Sequence, residues 1–479
     1  MENKNNFVEQ IADFNTDLPQ WYTDVILKAD LCDYGPVKGT MVIKPYGFAI
    51  WENIKNAMDS EFKKVGVKNA YFPMLIPESF LKKEAKHVEG FAPEVAVVTY
   101  AGGQELAEKL IVRPTSETII CEMYSKWIKS YRDLPMVMNQ WCNVVRWEKT
   151  TRPFLRTSEF LWQEGHTVQA SAEDAKKDAL KMLEIYKKVC TNVLAIPMLS
   201  GKKSEREKFA GANDTYGIEA VMPDGKCLQS GTTHDLGQNF AKSANIKFLN
   251  KNGEWEYGYS TSWGTSTRLI GALIMVHGDE RGIKLPPHVA PIQVVIVPVA
   301  QHKAGVLDKA YEIKQQLESS GVRVAVDDSE NSVGWKFNQY EMKGVPLRLE
   351  IGPRDIENNQ AVCVRRDTHE KLFVSLDNIS SSVNELLEEI QQNLLNLAKD
   401  FLAHCTVEVD SMQQLVDAIN NKKVAVGYHC GDIDCEQKLK EETGIQTRVI
   451  IEECGENDEH KCIHCGNKAK HKIYFAKQY

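Results

Sequence analysis

MVMNQWCNVVRWEKTTRPFLRTSEFLWQEGHT, residues 136–167, consists of two runs rich in Val, Trp and Phe around a polar link that contains a proline. This pattern predicts an antiparallel hairpin with a longer loop, here centred on 149–153. Side chains alternate between the two faces of a strand, so Arg146 and Glu148 are expected to share a face on the first strand. Four side chains of the second run have the same parity: Arg156, Trp162, Glu164 and His166.

The polar side chains of this hairpin allow two interpretations. The simple one is a solvated polar face with a tryptophan beneath its edge. The other is phosphate binding, because the guanidinium group of arginine presents a rigid fork of donors that matches phosphate oxygens. If Arg146 and Arg156 face one cleft, they are suited to hold the phosphates of ATP.

Residues 113–118, RPTSET, precede a clear helical pattern. Thr115 suits the N-cap of that helix, and Glu117 suits its first turn, where the helix dipole favours a carboxylate. This structural role suffices for both residues. Both side chains are also able to accept hydrogen bonds from the ammonium group of a substrate, and local sequence does not separate the two roles. The apolar stripe of the helix consists of Ile119, Ile120, Met123, Tyr124, Trp127, Ile128 and Tyr131.

Residues 262–268, SWGTSTR, lead into the almost wholly apolar run 269–276. Ser266 or Thr267 is expected to cap a helix whose first turn carries Arg268. A cation at a helix N-terminus opposes the helix dipole at a cost of about 0.3–1 kcal/mol. Departures of this kind are expected at functional sites, so Arg268 is a candidate for anion binding. An ion pair with a distant carboxylate is the alternative.

Three prolines within 286–291 separate the first part of the chain from the rest, since proline opposes regular structure. From 292 to 403 short apolar strands alternate with helical stretches, which predicts a small α/β sandwich. The tail from Cys405 is richer in Cys and His and forms a third unit. We therefore expect domains at 1–285, 290–403 and 405–479. The elements predicted after the break are strands at 292–299, 322–327, 346–352 and 360–366 and helices at 302–320, 332–342 and 383–402.

The composition limits the classes of protein to consider. A chain of 479 residues is too long for one hydrophobic core. The net charge of −8 argues against a general nucleic-acid binder but not against a local basic face. No apolar run reaches the length of about eighteen residues that a membrane helix needs, and residues 1–10 lack the pattern of a secretory signal. Twelve dispersed cysteines indicate thiols or metal ligands, so we expect a cytoplasmic protein without a membrane partner.

Three patterns resemble the motifs of the class II aminoacyl-tRNA synthetases. The motif 2 pattern is the Arg-x-Glu of 143–148 with 154–157, and the motif 3 pattern is 264–268, which lacks the second glycine of the general form. The motif 1 pattern is a helix that ends at Gly66, followed by a strand predicted at 70–76. In the family this helix and strand form the subunit interface, so the resemblance implies a homodimer. The apolar residues of the motif 1 helix are Trp51, Ile54, Met58 and Phe62.

Longer segments are similar to the prolyl-tRNA synthetases of the archaeal and eukaryotic type, from about Trp21 to the last residue. Bacterial-type members carry a large editing insertion between motifs 2 and 3. Only about a hundred residues separate His166 from Gly264, so that insertion is absent. The similar segments are RPTSET (113–118), FLRTSEFLWQEGHT (154–167), KFAGANDTYGIEA (208–220), LQSGTTHDLGQNF (228–240) and SWGTSTRLIGALIMVHGDERGIKLPPHVAPIQ (262–293).

The resemblance implies an α+β catalytic domain with an antiparallel sheet of the class II synthetase kind. It further implies an α/β anticodon-binding domain and a small α/β zinc-binding C-terminal domain. The implied activity is the ATP-dependent ligation of L-proline to tRNA(Pro) through a prolyl-adenylate. Mg²⁺ and arginines would spread the charge that develops on the phosphates, and no side-chain nucleophile is required.

The resemblance also assigns residues by position. Glu117 and Thr115 would accept the secondary ammonium of proline, and Trp162 and Phe209 would cover its flat apolar ring. The candidate catalytic residues are Arg146, Glu148, Arg156 and Arg268. The expected ATP-binding residues are Arg146, Glu148, Arg156, Thr157, Gln229, Thr232 and Arg268. The expected proline-binding residues are Thr115, Glu117, Arg146, Trp162, Glu164, His166, Phe209, His234 and Ser266.

Two cysteine pairs in the tail suit a tetrahedral Zn²⁺ site: one pair has C-x4-C spacing and the other C-x2-C spacing. Gly431 and Gly466 each follow a cysteine directly, which permits the positive φ that such a turn needs. Four thiolates would leave no open position, so the zinc would be structural. The predicted ligands are Cys430, Cys435, Cys462 and Cys465, with Cys454, His460 and His464 as nearby alternatives.

In the predicted anticodon-binding domain, Arg348, Glu350 and Arg354 are candidates for tRNA contacts, and a solvated strand end is the alternative. Two other functions fit parts of the chain. A threonyl or seryl enzyme would need a polar partner for the substrate hydroxyl or a catalytic metal, whereas Trp162 and Phe209 suit an apolar ring. A non-catalytic, synthetase-like tRNA-binding protein would be free to lose the arginines of motifs 2 and 3, which are all present here.

Overall fold

The structure, a computed structural model, describes residues 11–85 and 94–479. An antiparallel sheet with helices packed on it forms the first part of the chain, so the predicted α+β architecture is confirmed. Its helices are α1 (Leu18–Lys28), α2 (Pro45–Lys64), α3 (Glu78–Ala85), α4 (Glu117–Trp127), α5 (Ala172–Asn192), α6 (Asn239–Ser243) and α7 (Arg268–His277). Its strands are β1 (Cys32–Tyr34), β2 (Met41–Ile43), β3 (Lys68–Asn69), β4 (Leu75–Pro77), β5 (Ala96–Ala101), β6 (Gln104–Val112), β7 (Met136–Val145), β8 (Glu159–Gln169), β9 (Leu199–Lys202), β10 (Asp214–Val221), β11 (Cys227–Gly237), β12 (Lys247–Leu249), β13 (Trp255–Tyr257) and β14 (Tyr259–Ser266).

The central strands run in the order β9-β10-β11-β14-β8-β7, each antiparallel to its neighbours, and β3 pairs with β7 in parallel. Helices α1, α2, α5 and α7 supply most of the apolar residues that cover this sheet. The four apolar residues named for the motif 1 helix, which is α2, are all buried. Burial of such side chains contributes about 1.5–3 kcal/mol each, which makes this layer the main core.

The predicted hairpin is confirmed: β7 and β8 pair from Met136↔Val168 to Val145↔Glu159. The predicted place of Arg156 on the second strand is wrong. Arg156 lies in the connection before β8, where Phe154 has a φ of +60° after Pro153. Proline removes a ladder donor and a positive φ reverses the chain, so the regular ladder between β7 and β8 starts at Glu159. The alternation argument therefore holds for the residues of β8 and not for Arg156.

Two further local predictions are corrected. The motif 1 strand expected at 70–76 is not one strand: β3 ends at Asn69, β4 begins only at Leu75, and the two belong to different sheets. Pro73 lies between them and cannot donate to a ladder. The N-cap of α4 is Ser116 and not Thr115. The Thr115 hydroxyl does accept a hydrogen bond from the Glu117 amide at 3.3 Å. It also donates a shorter hydrogen bond, of 3.1 Å, to the Glu164 carboxylate on β8.

The N-terminus of α7 follows the prediction. Thr267 is its N-cap, Arg268 is its first residue, and the Ser266 hydroxyl accepts a hydrogen bond from the Arg268 amide at 3.2 Å. The proline-rich break also holds, since no helix or strand lies between His277 and Val294. Within the described residues, no helix combines the length and the apolar character that crossing a membrane requires.

The segment after the break forms a mixed sheet of order β16-β15-β17-β18-β19, covered by α8 and α11. The predicted strands and helices are present within a few residues of their expected bounds, and the sequence missed α10 and β19, which are short. The elements are β15 (Val294–Pro298), α8 (Val306–Ser319), β16 (Val324–Val326), α9 (Val333–Met342), β17 (Leu347–Ile351), α10 (Pro353–Glu357), β18 (Gln360–Arg365), β19 (Lys371–Ser375) and α11 (Ile379–Cys405).

The tail has a small core of its own, but its sheet is joined to the first one. Strand β22 pairs with β9 at Ile450↔Lys202, so eleven of the described strands form one sheet. Gly201 permits this approach, because a Cβ at that position would lie 2.3 Å from the Ile450 carbonyl oxygen. The elements are β20 (Thr406–Glu408), α12 (Met412–Asn420), β21 (Val424–His429), α13 (Ile433–Thr443), β22 (Gln446–Glu453) and β23 (His471–Ala476).

Candidate active site

A cavity of about 290 Å³ lies over β8, β11 and β14, beside the first turns of α4 and α7. It brings together side chains from distant parts of the sequence, and Arg146 and Arg268 both line it. The residues predicted from the sequence that line this cavity are Thr115, Glu117, Arg146, Trp162, Glu164, His166, Phe209, Gln229, Thr232, His234, Ser266 and Arg268.

One end of the cavity is acidic and almost fully buried. Glu164 Oε2 accepts hydrogen bonds from the Thr115 hydroxyl at 3.1 Å and from the Ser116 amide at 2.9 Å, and it lies 3.3 Å from His166 Nε2. Glu117 Oε1 accepts no hydrogen bond from the part of the chain that the structure describes, and His166 Nδ1 lies 3.9 Å from it. A buried acceptor without a donor is costly, so this end of the cavity is suited to a ligand that brings a cationic N–H group.

The charges at this end follow from burial and mutual contact. Burial raises the pKa of Glu117, and the neighbouring Glu164 raises it further while His166 opposes both. Burial also acts to raise the pKa of Glu164, but His166 and the donors of Ser116 outweigh it and hold the pKa at about 2. The two carboxyl groups therefore differ: Glu164 is ionised and Glu117 retains its proton to a higher pH.

His166 is the cation of this cluster. Burial acts to lower the pKa of His166, but the hydrogen bond to Glu164 and the charges of Glu117 and Glu164 outweigh burial and raise it. His234 behaves in the opposite way, because burial and the charge of His166 lower the pKa of His234 to about 3. Its Nδ1 lies 3.0 Å from the Thr215 hydroxyl, and its ring lies 4.7 Å from the Phe209 ring, centroid to centroid.

We expect His166 to titrate above pH 6.5 and His234 to stay neutral from pH 5 to 8. Because the folded-state pKa of His166 is raised, the stability that its ion pairs contribute is complete below pH 6.5 and is lost as the pH rises through the folded-state pKa. Histidine-selective ¹³C NMR across this pH range measures both rings, with His166→Gln and His234→Gln for assignment. A His166 midpoint below 6.5 would contradict the charge assignment.

The other end of the cavity is cationic. The Arg146 guanidinium stacks over the Trp162 ring at 5.2 Å from the centroid, and its Nε donates to the Pro114 carbonyl at 3.1 Å. Arg268 donates from Nε to the Leu155 carbonyl at 3.0 Å and from Nη1 to the Gln229 carbonyl at 3.1 Å. These bonds fix both guanidinium groups without neutralising them, which leaves their charge available to an anion.

Burial lowers the pKa of Arg268 to about 10, and the charges of Arg156 and Arg146 act in the same direction. Arg268 therefore stays protonated near neutral pH. The guanidinium charges of Arg146, Arg156 and Arg268 are held close together. Among these three arginines, the ion pair that the structure shows joins Arg156 Nη1 to Glu148 Oε2 at 3.8 Å. Such an excess of positive charge in a partly buried cleft favours a polyanion.

Three residues predicted to bind ATP do not line the cavity: Glu148, Arg156 and Thr157. Arg156 is exposed, and its charge and that of Glu148 still act on Arg268, which places both near the cavity mouth. The Thr157 hydroxyl is buried and donates to the Glu159 carbonyl at 2.7 Å. Its side chain therefore serves the start of β8 in this structure.

The sequence missed several residues that line the cavity, above all Phe160 on β8 and Glu207 in the connection between β9 and β10. Phe160 packs edge-on against Trp162 at 5.9 Å. Strand parity was available as a signal for Phe160. No local pattern marks Glu207, because the connection that carries it has neither helical nor strand periodicity.

Sequence comparisons agree with this arrangement along the whole chain. The family profile described as tRNA synthetase class II core domain (G, H, P, S and T) matches residues 98–277, the Anticodon binding domain profile matches 293–393, and the profile Prolyl-tRNA synthetase, C-terminal matches 412–479. A protein named proline--tRNA ligase from Acetoanaerobium sticklandii is 59% identical over 478 residues, 99% of this chain and 98% of its own length. The chain belongs to the prolyl-tRNA synthetases.

Two other relatives with the same printed name support this membership. The one from Alkaliphilus oremlandii is 60% identical over 475 residues, 99% of this chain and 98% of its own length. The one from Clostridium novyi is 55% identical over 480 residues and is covered completely, as is this chain. The likeness of the sequence to prolyl-tRNA synthetases is thereby confirmed.

The tail of this prolyl-tRNA synthetase gathers the predicted cysteines into one cluster. Cys435 Sγ lies 3.9 Å from Cys462 Sγ, and Cys465 Sγ lies 3.6 Å from Cys430 Sγ. Thiolates on a tetrahedral zinc with bonds of about 2.3 Å are about 3.8 Å apart, so these separations fit such an ion. Gly431 and Gly466 have φ values of +71° and +74°, as predicted.

A histidine that the sequence did not single out joins this cluster in the synthetase. Donor atoms of His429, Cys430, Cys435 and Cys462 all lie within 4.8 Å of one another. Of the predicted alternatives, His464 Nδ1 lies 3.2 Å from Cys435 Sγ, whereas the His460 ring stacks on Tyr428. The sequence missed His429 because it ends β21 as part of a buried strand, where a histidine is not distinctive.

The predicted tRNA contacts of the synthetase differ in exposure. Arg348 is buried and forms ion pairs with Glu341 at 3.1 Å and with Glu350 at 3.0 Å. Its guanidinium also lies 3.7 Å from the centroid of the Phe337 ring. Arg354 is exposed. The structure therefore leaves Arg354 accessible, while Arg348 and Glu350 neutralise each other within the fold.

Proposed function

We propose that this chain ligates L-proline to tRNA(Pro) in two steps at the cavity. The carboxylate of proline attacks the α-phosphorus of ATP, which forms prolyl-adenylate and releases pyrophosphate. The prolyl group is then transferred to the terminal ribose of the tRNA. The observation that carries the proposal is one cavity with a buried, acidic end beside aromatic rings and a cationic end lined by Arg146 and Arg268, with the charge of Arg156 near its mouth. The membership of the chain in the prolyl-tRNA synthetases supports it.

The acidic end suits the amino acid. Glu117 Oε1 and the Thr115 hydroxyl would accept the two N–H groups of the secondary ammonium, while Trp162 and Phe209 cover the ring. An incoming ammonium favours the ionised form of Glu117 and so offsets the rise in the pKa of Glu117 that burial causes. The other residues proposed for the proline pocket are Arg146, Glu164, His166, His234 and Ser266.

The cationic end suits the triphosphate. Arg146 and Arg268 are held in place by backbone carbonyls, so their charge is preorganised for the α- and γ-phosphates, and Arg156 reaches the same region from the mouth. Class II synthetases use ATP with Mg²⁺, which neutralises charge on the phosphates when it is bound. The nucleoside would contact Gln229 and Thr232, which line the cavity, with Glu148 and Thr157 nearby.

Proline-dependent exchange of pyrophosphate into ATP tests this proposal, and an amino-acid panel tests the pocket. We expect full exchange with proline, weak exchange with alanine and cysteine, and none with threonine or serine. The side chains of alanine and cysteine bury only a little less area than the proline ring. A pocket therefore rejects these amino acids only about 10- to 200-fold, and they give weak exchange. Exchange with threonine or serine in place of proline would indicate another synthetase. Absence of exchange with intact ATP binding would indicate a non-catalytic tRNA-binding protein.

The remaining assignments support the same function. We propose domains at 1–285, 290–403 and 405–479, each with an apolar cluster of its own, and anticodon contacts through Arg354 in the second. We propose a structural Zn²⁺ held by four thiolates, which cross-links the ends of the tail. We also propose a cytoplasmic location, since the twelve dispersed cysteines, none of which is disulfide-bonded in the structure, suit thiols and metal ligands. The proposed zinc ligands are Cys430, Cys435, Cys462 and Cys465.

We also propose a homodimer formed through the region that follows the motif 1 helix. Large apolar side chains in this region are exposed: Tyr71 is 72% exposed, and Met74 and Leu75 are about 40% exposed. Exposed apolar patches of this kind mark interaction surfaces. Sedimentation velocity should give twice the mass of one chain, and a monomer at micromolar concentration would refute the dimer.

A further inference from the structure

The wall segment, residues 203–209, joins β9 to the part of the cavity that holds the proposed proline pocket. It has no regular secondary structure, yet it supplies Glu207 and Phe209 to the cavity lining. A segment without a backbone ladder needs other contacts to hold a defined position. In this chain some of those contacts come from β10 and others from the tail, which lies about 230 residues later in the sequence.

The first contact is a buried ionic cluster at the start of the wall segment. Lys203 forms an ion pair with Glu219 on β10, and both are almost completely buried. Arg448 on β22 approaches the same carboxylate from the tail, with Nε 2.7 Å from Oε2 and Nη2 2.9 Å from Oε1. This bidentate geometry fixes the carboxylate, and through it the lysine, relative to the tail.

The second contact is a network of hydroxyl groups. The Ser204 hydroxyl donates to Glu436 Oε1 at 2.8 Å, and the Thr447 hydroxyl donates to the same oxygen. All three residues are buried.

The third contact joins Arg206 Nε to Gln437 Oε1 at 2.9 Å. Glu436 and Gln437 are consecutive near the start of α13 and directly follow Cys435 of the cysteine cluster.

These contacts continue into the cavity wall. The Ser204 hydroxyl also accepts a hydrogen bond from the Glu207 amide at 3.3 Å, and Arg206 Nη1 lies 2.6 Å from Glu207 Oε1. The orientation of Glu207 therefore depends on two residues that α13 holds. Two residues further on, the Phe209 amide donates to the Thr215 hydroxyl, which in turn contacts His234 in the cavity.

We propose that Glu436 and Gln437 are positioning residues for the amino-acid pocket: from the tail they hold the wall segment, and with it Glu207 and Phe209, in the arrangement that binds proline. The expected effect on the KM for proline rests on the proposed function. The expected ordering of the wall segment rests on the geometry alone. Neither residue lines the cavity, so they act through Ser204 and Arg206 and not through contact with a substrate.

The test compares Glu436→Ala and Gln437→Ala with Lys438→Ala, a control at the next, exposed position of the same helix. We expect Glu436→Ala to raise the KM for proline about fivefold to fiftyfold and Gln437→Ala to raise it about threefold, with kcat and the KM for ATP changed less than about threefold. Glu436→Gln keeps an acceptor oxygen and should restore most of the affinity. The control should match the wild type.

Hydrogen exchange followed by mass spectrometry gives a second readout that needs no catalysis. The amides of 203–209 should exchange faster in Glu436→Ala and Gln437→Ala, while those of β8 stay protected. Zinc analysis of each variant against the wild type checks that the cysteine cluster is intact. If Glu436→Ala fails to fold, Gln437→Ala, at a half-buried position, provides the test of the inference. An unchanged KM for proline with unchanged exchange of 203–209 would overturn the inference. If the wild type lacks pyrophosphate exchange, the proposed function fails, and hydrogen exchange alone decides the positioning claim.

Discussion

Arg268→Ala is expected to lower kcat for proline-dependent pyrophosphate exchange by about 10²- to 10³-fold, the usual effect of removing one preorganised charge donor. The reason is geometric: two backbone carbonyls hold the guanidinium at the first turn of α7, where it faces the cavity without a carboxylate partner in the described structure. The charge is therefore available to the phosphates. Steady-state exchange kinetics with saturating ATP and proline measure the effect.

Two variants make this result specific. Arg268→Lys retains a charge but loses the planar fork, so we expect an intermediate loss of activity. Arg132→Ala removes an exposed arginine that does not line the cavity and should leave exchange unchanged. Circular dichroism and the melting temperature control for folding, because Arg268 also donates to Leu155 and Gln229. Activity within about threefold of the wild type in Arg268→Ala would refute the phosphate role.

Glu219→Ala is expected to destabilise the protein by about 3–5 kcal/mol, because it leaves two buried cations without their shared carboxylate. Burial acts to raise the pKa of Glu219, but Lys203 and Arg448 outweigh it and hold the pKa at about 2. The stability that ionised Glu219 contributes is thus complete above its ordinary pKa of 4.5 and is lost as the pH falls through about 2. Urea unfolding at pH 7 followed by tryptophan fluorescence measures the loss.

A surface ion pair provides the matched control. Glu408 contacts Lys472 at 2.7 Å, but its side chain is 78% exposed, so Glu408→Ala should destabilise the protein far less than Glu219→Ala. A triple variant that replaces Lys203, Glu219 and Arg448 by apolar residues of similar volume tests the cause, since it removes the stranded charges as well. We expect it to be more stable than Glu219→Ala. If Glu219→Ala is as stable as the wild type, the predicted role of this buried cluster is wrong.

Regular elements were the most predictable part of this protein. The hairpin of β7 and β8 and the helix α7 follow from residue periodicity, which depends only on near neighbours in sequence. Alternation also predicted that Trp162, Glu164 and His166 face the same cavity, and they do. It failed for Arg156, because Pro153 and a positive φ at Phe154 delay the strand. Local backbone conformation, and not side-chain chemistry, caused that error.

Contacts between distant segments were beyond the reach of periodicity. Glu219 and Arg448 are 229 residues apart, and nothing near either residue indicates the other. The wall segment has no period, so the place of Glu207 in the cavity follows only from the contacts that fold it. The same holds for His429, which joins the cysteines through the course of β21 and not through a ligand spacing. Apart from Phe160, which strand parity could have indicated, these missed parts of the site are the ones that tertiary packing determines.

The pairing of β22 with β9 has a practical consequence for any shortened form of the chain. Removing everything after α11 would uncover the backbone donors and acceptors of β9, and Gly201 offers no side chain to shield them. An unpaired edge of this kind is a template for association with other chains. A fragment that stops there is therefore expected to aggregate, and we expect the tail to protect the solubility of the full chain in addition to its proposed effect on the pocket.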